Sequence, residues 1–330
     1  MKVLLGFSGG VDSSVSAVLL REAGLDVYGL YLDNALASDR EFAETAAAHL
    51  GIPLKTVDVK QDLEKNVCAP FCESYLHGET PNPCILCNPS VKFRLLLEEA
   101  DRIGAEAIAT GHYARVENGA LYRGQPANDQ SYMLCRLRHE QLERLILPLG
   151  PYEKAQVRSM AAERGLDAAH KSDSMEICFI PDKDYISWMA ARGTLPPGGD
   201  FIFHGKAVGK HEGIFRWTVG QRIPGLYEGR KLYVCRIDAQ KNTIELALWE
   251  ELFRDKLTVR DFHWLTEPPD FPVHASVRVR HTKWEMPACT VFPEGSRLRI
   301  ECEEPVRAPA PGQSAVLYEG DRVLGGGFIC

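Results

Sequence analysis

One stretch, Gly6-Phe7-Ser8-Gly9-Gly10-Val11-Asp12-Ser13-Ser14, constrains the fold of this chain more than any other. It follows an apolar run at residues 3–7 and opens a segment, 11–22, whose apolar residues have helical spacing and which Gly24 closes. Glycines let the backbone approach a ligand closely, and the serines add hydroxyl groups. A helix N-terminus adds unpaired N–H groups and a positive dipole end, completing a phosphate cradle at a strand–helix joint. The stretch has neither the Gly-Lys-Ser/Thr ending of a Walker loop nor dinucleotide-fingerprint spacing. A plain tight turn capped by Asp12 or Ser13 is the alternative, and the length of the string speaks against it.

The segments that follow keep the same alternation. Residues 27–32 and 54–59 read as strands, 41–50 as an Ala-rich helix ended by Gly51, 91–103 as a helix and 105–110 as a further strand. Strand and helix in alternation predict a parallel sheet with helices on both faces, and a ligand crevice at the carboxyl ends of the strands. Leu195-Pro196-Pro197-Gly198-Gly199 is a linker by composition. Beyond it, short strand-like runs at 231–237, 243–248, 276–280, 288–292, 298–302 and 314–318 suggest small barrels or sandwiches, with a weaker break near 251–258. The expected domains are 1–196, 197–256 and 257–330.

Hydrophobic residues at 45% and charged residues at 25% exclude a disordered or collagenous chain. No apolar run approaches the roughly 18 residues of a membrane span. Met1-Lys2 leads straight into a strand without the pattern of a signal peptide, so the expected location is the cytoplasm. The net charge of −7 falls within residues 1–199, while 200–330 are balanced. Non-specific nucleic-acid binding is therefore not advertised, although a local basic stripe can still meet phosphates. Arg278, Arg280 and Thr282, with Lys283 beside them, form such a stripe; a solvated edge strand is the plainer explanation.

Ten cysteines in such a chain are not a disulfide framework. Cys68, Cys72, Cys135, Cys235, Cys289, Cys302 and Cys330 share no spacing, and Cys135, Cys235 and Cys289 lie among apolar neighbours as small hydrophobes. Cys84 and Cys87 differ: they sit in Thr80-Pro81-Asn82-Pro83-Cys84-Ile85-Leu86-Cys87-Asn88, an irregular loop before a helix whose positive end would favour a thiolate. Cys178 lies in Ser172-Asp173-Ser174-Met175-Glu176-Ile177-Cys178-Phe179-Ile180. Three chemistries are open: sulfur exchange between Cys87 and Cys178, an iron–sulfur cluster on Cys84, Cys87 and Cys178, or zinc with His77 as fourth ligand. Unrelated buried thiols are the fourth option.

SGGVDSS, the TPNPxxxCN loop with Val91-Lys92-Phe93, Ala109-Thr110-Gly111-His112-Tyr113, Asp129-Gln130-Ser131-Tyr132, Ile177-Cys178-Phe179-Ile180, Thr218-Val219-Gly220-Gln221-Arg222 and Pro311-Gly312-Gln313-Ser314-Ala315-Val316 occur in one order along the chain. In these motifs the chain resembles the bacterial tRNA-specific 2-thiouridylases of MnmA type, within the PP-loop ATP pyrophosphatases. The resemblance implies an α/β parallel-sheet PP-loop catalytic domain, a small β-rich central domain and a C-terminal β-barrel. It implies ATP with Mg²⁺ at Gly6, Phe7, Ser8, Gly9, Gly10, Val11, Asp12 and Ser13, with Leu32 and Gly111 also at the nucleotide. It implies adenylation of C2 of the wobble uridine of a tRNA, then sulfur delivery by a Cys178 persulfide. Cys87 is the second cysteine, which releases sulfide or resolves the persulfide as a Cys87–Cys178 disulfide; a carrier protein, a cysteine desulfurase or sulfide is the donor. Asn82, Pro83 and Cys84 would border the flipped base. His112, Asn128, Asp129, Gln130, Arg280, His281 and Gln313 stand at tRNA-contacting positions.

The chain departs from the family pattern at several points. Cys84 replaces an aspartate and creates a CxxC, which suits a three-thiolate cluster better than a relay that has no use for a third thiol. Pro89, Asn128 and Ile223-Pro224 stand where lysines are usual, and the loop after Leu32 is short. Fewer cations mean fewer phosphate contacts. The alternatives to a tRNA thiolase are a PP-loop sulfurtransferase acting on another nucleobase or small molecule, or a non-catalytic RNA-binding paralogue.

Overall fold

The computed structural model describes residues 1–34, 37–166, 177–227, 229–281 and 286–330. In chain order the first elements are β1 (Lys2–Gly6), α1 (Val11–Glu22), β2 (Asp26–Asp33), α2 (Ala37–Leu50), β3 (Leu54–Asp58), α3 (Lys60–Leu63), α4 (Ala69–Leu76), α5 (Pro83–Cys87) and α6 (Phe93–Ile103). Then come β4 (Ala107–Ala109), β5 (Ala114–Glu117), β6 (Ala120–Arg123), α7 (His139–Glu143), β7 (Leu145–Ile146), α8 (Lys154–Glu163) and α9 (Tyr185–Ala190). The remainder is β: β8 (Gly199–Phe203), β9 (Lys206–His211), β10 (Arg222–Tyr227), β11 (Lys231–Asp238), β12 (Thr243–Ala247), β13 (Phe253–Trp264), β14 (Val273–Arg278), β15 (Ala288–Glu294), β16 (Arg297–Arg307), β17 (Ser314–Glu319) and β18 (Arg322–Ile329).

These elements form two compact units, of which the first holds residues 1–67, 84–179 and 321–324. Its sheet is parallel with strand order β3-β2-β1-β4-β7. The order reverses between β1 and β4, so the crevice beyond their carboxyl ends is the ligand position of a doubly wound sheet. Val3, Leu5, Phe7, Ala17, Leu20 and Val27 pack in one core with Ala47 of α2 and Ala107 and Ala109 of β4. A second core joins Val11 and Val15 of α1 to Val157 and Ala161 of α8, with Tyr113 and Leu149. This packing fixes the first turns of α1 and α8 in one place.

The hairpin β5–β6, which the sequence reading left without strands, turns on Asn118-Gly119, with φ of 52° and 74°. An Asn-Gly pair is the residue choice that such a two-residue turn demands, and it was the available signal. Residues 91–103 begin as a π-helical turn, Asn88–Lys92, before α6 proper. Pro83 starts a helix instead of continuing an irregular loop.

The second unit holds residues 68–83, 180–320 and 325–330. One sheet has the order β10-β11-β12-β8-β9 over a core that includes Phe201, Leu232, Val234, Ile244 and Leu246. The other runs β13-β16-β15-β14-β17-β18 and returns from β18 to β13, with Val259 opposite Ile329, which closes a barrel. Closure leaves no free edge among these strands. β14 ends at Arg278, so Arg280 and His281 follow the strand, while Thr282 and Lys283 lie outside the described residues. Among the described residues no helix is long and apolar enough to cross a membrane. Leu5, fully buried at the centre of the first sheet, gives a direct test of the first core. Leu5→Ala is expected to destabilise the unit by about 2–5 kcal/mol, read as a lower urea midpoint; an unchanged midpoint would contradict this packing.

Candidate active site: a nucleotide turn and a thiol cluster

β1 ends at Gly6, and the chain turns through Ser8, Gly9 and Gly10 into α1. Gly9 has φ +75°, and a Cβ there would stand 2.9 Å from the Ala43 Cα, so backbone conformation and space both demand glycine. Gly10 is the N-cap residue and makes no side-chain cap, so the plain turn capped by Asp12 or Ser13 is not what forms. The first-turn N–H groups of α1 are thereby left for a ligand. The hydroxyls are less available than expected. Ser14 is buried and donates to Gly9 O at 3.0 Å, and Ser13 donates to Gly10 O at 3.1 Å. Both hydroxyls shape the turn, whose backbone N–H groups at the start of α1 have no side-chain cap.

Asp12 carries the charge of this turn. Lys154 Nζ lies 2.7 Å from each of its carboxylate oxygens, and the Tyr113 hydroxyl donates to Oδ1 at 2.6 Å. Gly111 abuts Asp12: a Cβ at position 111 would lie 3.0 Å from the Asp12 backbone carbon. Leu32 sits near the end of β2, paired with Val57 of β3. Beside Gly111, His112 Nδ1 shares a 2.7 Å hydrogen bond with Thr110 Oγ1, and its ring stacks on Phe93 at 5.8 Å. Burial, aided by the Lys92 charge, holds the imidazole well below its usual range, so it is neutral at physiological pH. Sequence reasoning missed Lys154 and gave Lys92 no role. The motif Val91-Lys92-Phe93 was visible, but which groups the lysine faces was not.

Cys84 and Cys87 lie one turn apart in α5, which runs directly into the π turn Asn88–Lys92 and α6. Cys87 is therefore inside a continuous helical path and has no free helix N-terminus behind it, a correction to the expected thiolate. Burial pushes its thiol up to about 11; Cys178 and Cys84 add to this and Lys92 opposes it. Cys178 is an exposed residue, yet desolvation of its thiol likewise raises it, with Lys92 opposing and Cys84 adding. The three cysteines thus lie within electrostatic reach of one another, and all three are free thiols. Asn34 Nδ2 donates to the Cys178 carbonyl at 2.7 Å. Residues 172–176 of that motif lie outside the described residues. Among the described residues no group of three His, Cys, Asp or Glu side chains gathers as a metal-ion site. Cys84, Cys87 and Cys178, where a cluster was expected, are not such a group there, and His77 is engaged through Nδ1 with its own helix at Glu73 O.

Other expected RNA contacts face inward in this unit. Asp129 is 4% exposed; its Oδ1 accepts from the N–H groups of Gly124 and Ser131 and its Oδ2 from the Ser131 hydroxyl. Gln130 Oε1 accepts the Tyr113 N–H. Asn128 Oδ1 accepts the Lys154 N–H at 3.3 Å and its Nδ2 donates to Tyr152 O. These side chains shape the loop and the start of α8. In the second unit, Gln313 Nε2 donates to Thr80 O at 3.0 Å, and Thr80 N–H donates to Pro311 O at 2.7 Å, just before Asn82 and Pro83. Arg280 donates to the carbonyls of Val219 and Ala308, which pins it beside the exposed His281.

A glycine-rich turn at the switch point of a parallel sheet, with Cys84, Cys87 and Cys178 in the same unit and two β modules in the other, defines a PP-loop α/β protein with barrel appendages. Residues 1–182 match the family described as tRNA methyl transferase HUP domain, 198–247 the tRNA methyl transferase PRC-barrel domain and 254–329 the aminomethyltransferase beta-barrel domain. The tRNA-specific 2-thiouridylase MnmA of Syntrophotalea carbinolica is 42% identical over 344 residues, covering 99% of this chain and 98% of that protein. That of Chloroflexus aggregans is 41% identical over 350 residues, with the same coverage, and that of Syntrophomonas wolfei is 40% identical across the whole of both chains. The chain belongs to the tRNA-specific 2-thiouridylase MnmA family. Membership of this ATP-using PP-loop family implies ATP with Mg²⁺.

Lys92 lowers the affinity of both thiols for protons. Lys92→Met is accordingly expected to slow alkylation of Cys87 and Cys178 several-fold at neutral pH. In the unchanged protein the Cys87 rate should still be rising above about pH 9. Peptide mass spectrometry after timed iodoacetamide treatment measures both, and a plateau at lower pH would refute the burial argument.

Proposed function

We propose that the chain is an ATP-dependent tRNA 2-thiouridylase that acts on C2 of the wobble uridine. The carrying observation is one run of neighbours within a single unit. Asp12 of the turn abuts Gly111, the adjacent His112 feels the charge of Lys92, and Lys92 acts on Cys87 and Cys178. This run supports a reading in which adenylation and sulfur transfer draw on one unit.

The uridine C2 oxygen attacks the α-phosphorus of ATP; the Pα–O–Pβ bond breaks and pyrophosphate leaves with the electron pair. AMP is then a good leaving group on C2. Cys178, loaded as a persulfide by a carrier protein or cysteine desulfurase, attacks C2 with its outer sulfur after losing that proton to solvent, and AMP departs. Cys87, giving up its proton to solvent, attacks Cys178 Sγ; the S–S bond to the outer sulfur breaks, and the base keeps that sulfur with the bonding pair as a thiocarbonyl. The resulting Cys87–Cys178 disulfide is reduced by a cellular thiol. Neutral His112 offers a hydrogen bond without adding charge. The target base must leave the stack to be reached, and Asn82, Pro83 and Cys84 would border it. The cytoplasm, where tRNA and sulfur carriers meet, is the proposed location.

With ATP, unmodified tRNA and a persulfide donor, Cys178→Ser is expected to keep tRNA-dependent pyrophosphate release within about threefold and to lose 2-thiouridine formation by about 100-fold or more. Nucleoside mass spectrometry and a pyrophosphate assay measure the two. Thiolation that survives in this variant, or parallel loss of both activities, would sink the division of labour.

A further inference from the structure

The turn at residues 6–14 contains no lysine, yet the bond it must break expels a multiply charged pyrophosphate. A cation is nevertheless held there. Lys154 Nζ lies 2.7 Å from both oxygens of Asp12, and the Tyr113 ring centroid is 5.6 Å from the same nitrogen. The pair sits at an open edge, with side-chain exposures of 24% for Lys154 and 33% for Asp12, so solvent and ligands can reach it. Lys154 also stands at the first position of α8, where the positive helix end disfavours a cation. Local rules broken in this way concentrate at functional positions.

The backbone placing this lysine is tied down on two sides. Asn128 Oδ1 accepts its N–H, and Val157 and Ala161 of α8 pack with Val11 and Val15 of α1. The first turns of the two helices are thus fixed together, and only the lysine side chain is left to move.

We propose that Lys154 is a catalytic residue of the adenylation step, paired with Asp12 before ATP binds and transferring to the β- and γ-phosphates when ATP enters. As the Pα–O–Pβ bond breaks, its ammonium compensates the charge that develops on the leaving pyrophosphate. It remains protonated throughout, and no proton or electron is exchanged. The phosphate contact replaces the carboxylate contact, so the cation is never left uncompensated. This role does the work of a Walker lysine from a different helix.

The inference rests on ATP use and is independent of how sulfur is delivered, so its test uses nucleotides alone for binding. The full chain, Lys154→Met and Lys154→Arg are titrated with α,β-methylene-ATP and with AMP in the presence of Mg²⁺. Lys154→Met is expected to weaken the triphosphate by about tenfold or more, the weight of one charged hydrogen bond. AMP, which lacks the β- and γ-phosphates, should move by less than about twofold and reports that the turn is still folded. Lys154→Arg should recover most of the loss, and tRNA-dependent pyrophosphate release should fall by about 100-fold in Lys154→Met. Equal weakening of both nucleotides would assign the lysine a structural role and overturn the proposal. Unchanged triphosphate binding and pyrophosphate release would overturn it as well. An unaltered chain that binds neither nucleotide would remove ATP use itself, and this role with it.

Discussion

β1 is hydrogen-bonded on both sides, to β2 through the register from Lys2↔Asp26 to Gly6↔Leu30 and to β4 through Val3↔Ala107 to Leu5↔Ala109. Its end is therefore among the least movable points of the first unit, and the nucleotide turn starts from it. Phe7 extends the tie, its N–H donating to Leu30 O at 2.8 Å. From that fixed point the turn needs conformations that only glycine accepts at position 9, and the helix it opens is left without a side-chain cap at its phosphate-facing end. Preorganised backbone donors stabilise charge without having to reorganise when it develops. The neighbours Gly111 and Tyr113, at the end of β4, are positioned by the same sheet.

The thiols obey a different balance. Desolvation is the largest influence on Cys87 and Cys178, and it favours the neutral form. Lys92 is the main opposing charge, and it also reaches His112. The third thiol, Cys84, shares the electrostatic neighbourhood without belonging to a metal-ligand group among the described residues.

Much of this was legible in the residue order. The SGGVDSS string, the strand–helix alternation and the change of texture after Leu195 give the glycine turn, the parallel sheet and the β-rich remainder, because each rests on local chemistry. What stayed hidden depends on tertiary direction. Asp129 sits in a motif that looks exposed, yet its carboxylate turns inward to bond the Gly124 and Ser131 N–H groups. Cys87 precedes a helix in the sequence, but α5 and the π turn make the path continuous and remove the helix-end effect. Lys154 lies 142 residues from Asp12, and no periodicity links them. The hairpin at Asn118-Gly119 was readable from its turn and was overlooked because its strands are only four residues each.

The clasp between Thr80 and the segment Pro311–Gln313 joins groups 233 residues apart along the chain. Contacts of such sequence separation form late, since loop closure must precede them. During synthesis the chain emerges from its N-terminus, so this clasp cannot form until nearly the whole polypeptide has left the ribosome. The nucleotide turn can be complete in a nascent chain long before that clasp exists. Truncated translation products therefore lack the restraint at Thr80 even where their first sheet is intact, which ties the finished shape of this loop to completion of the last strands.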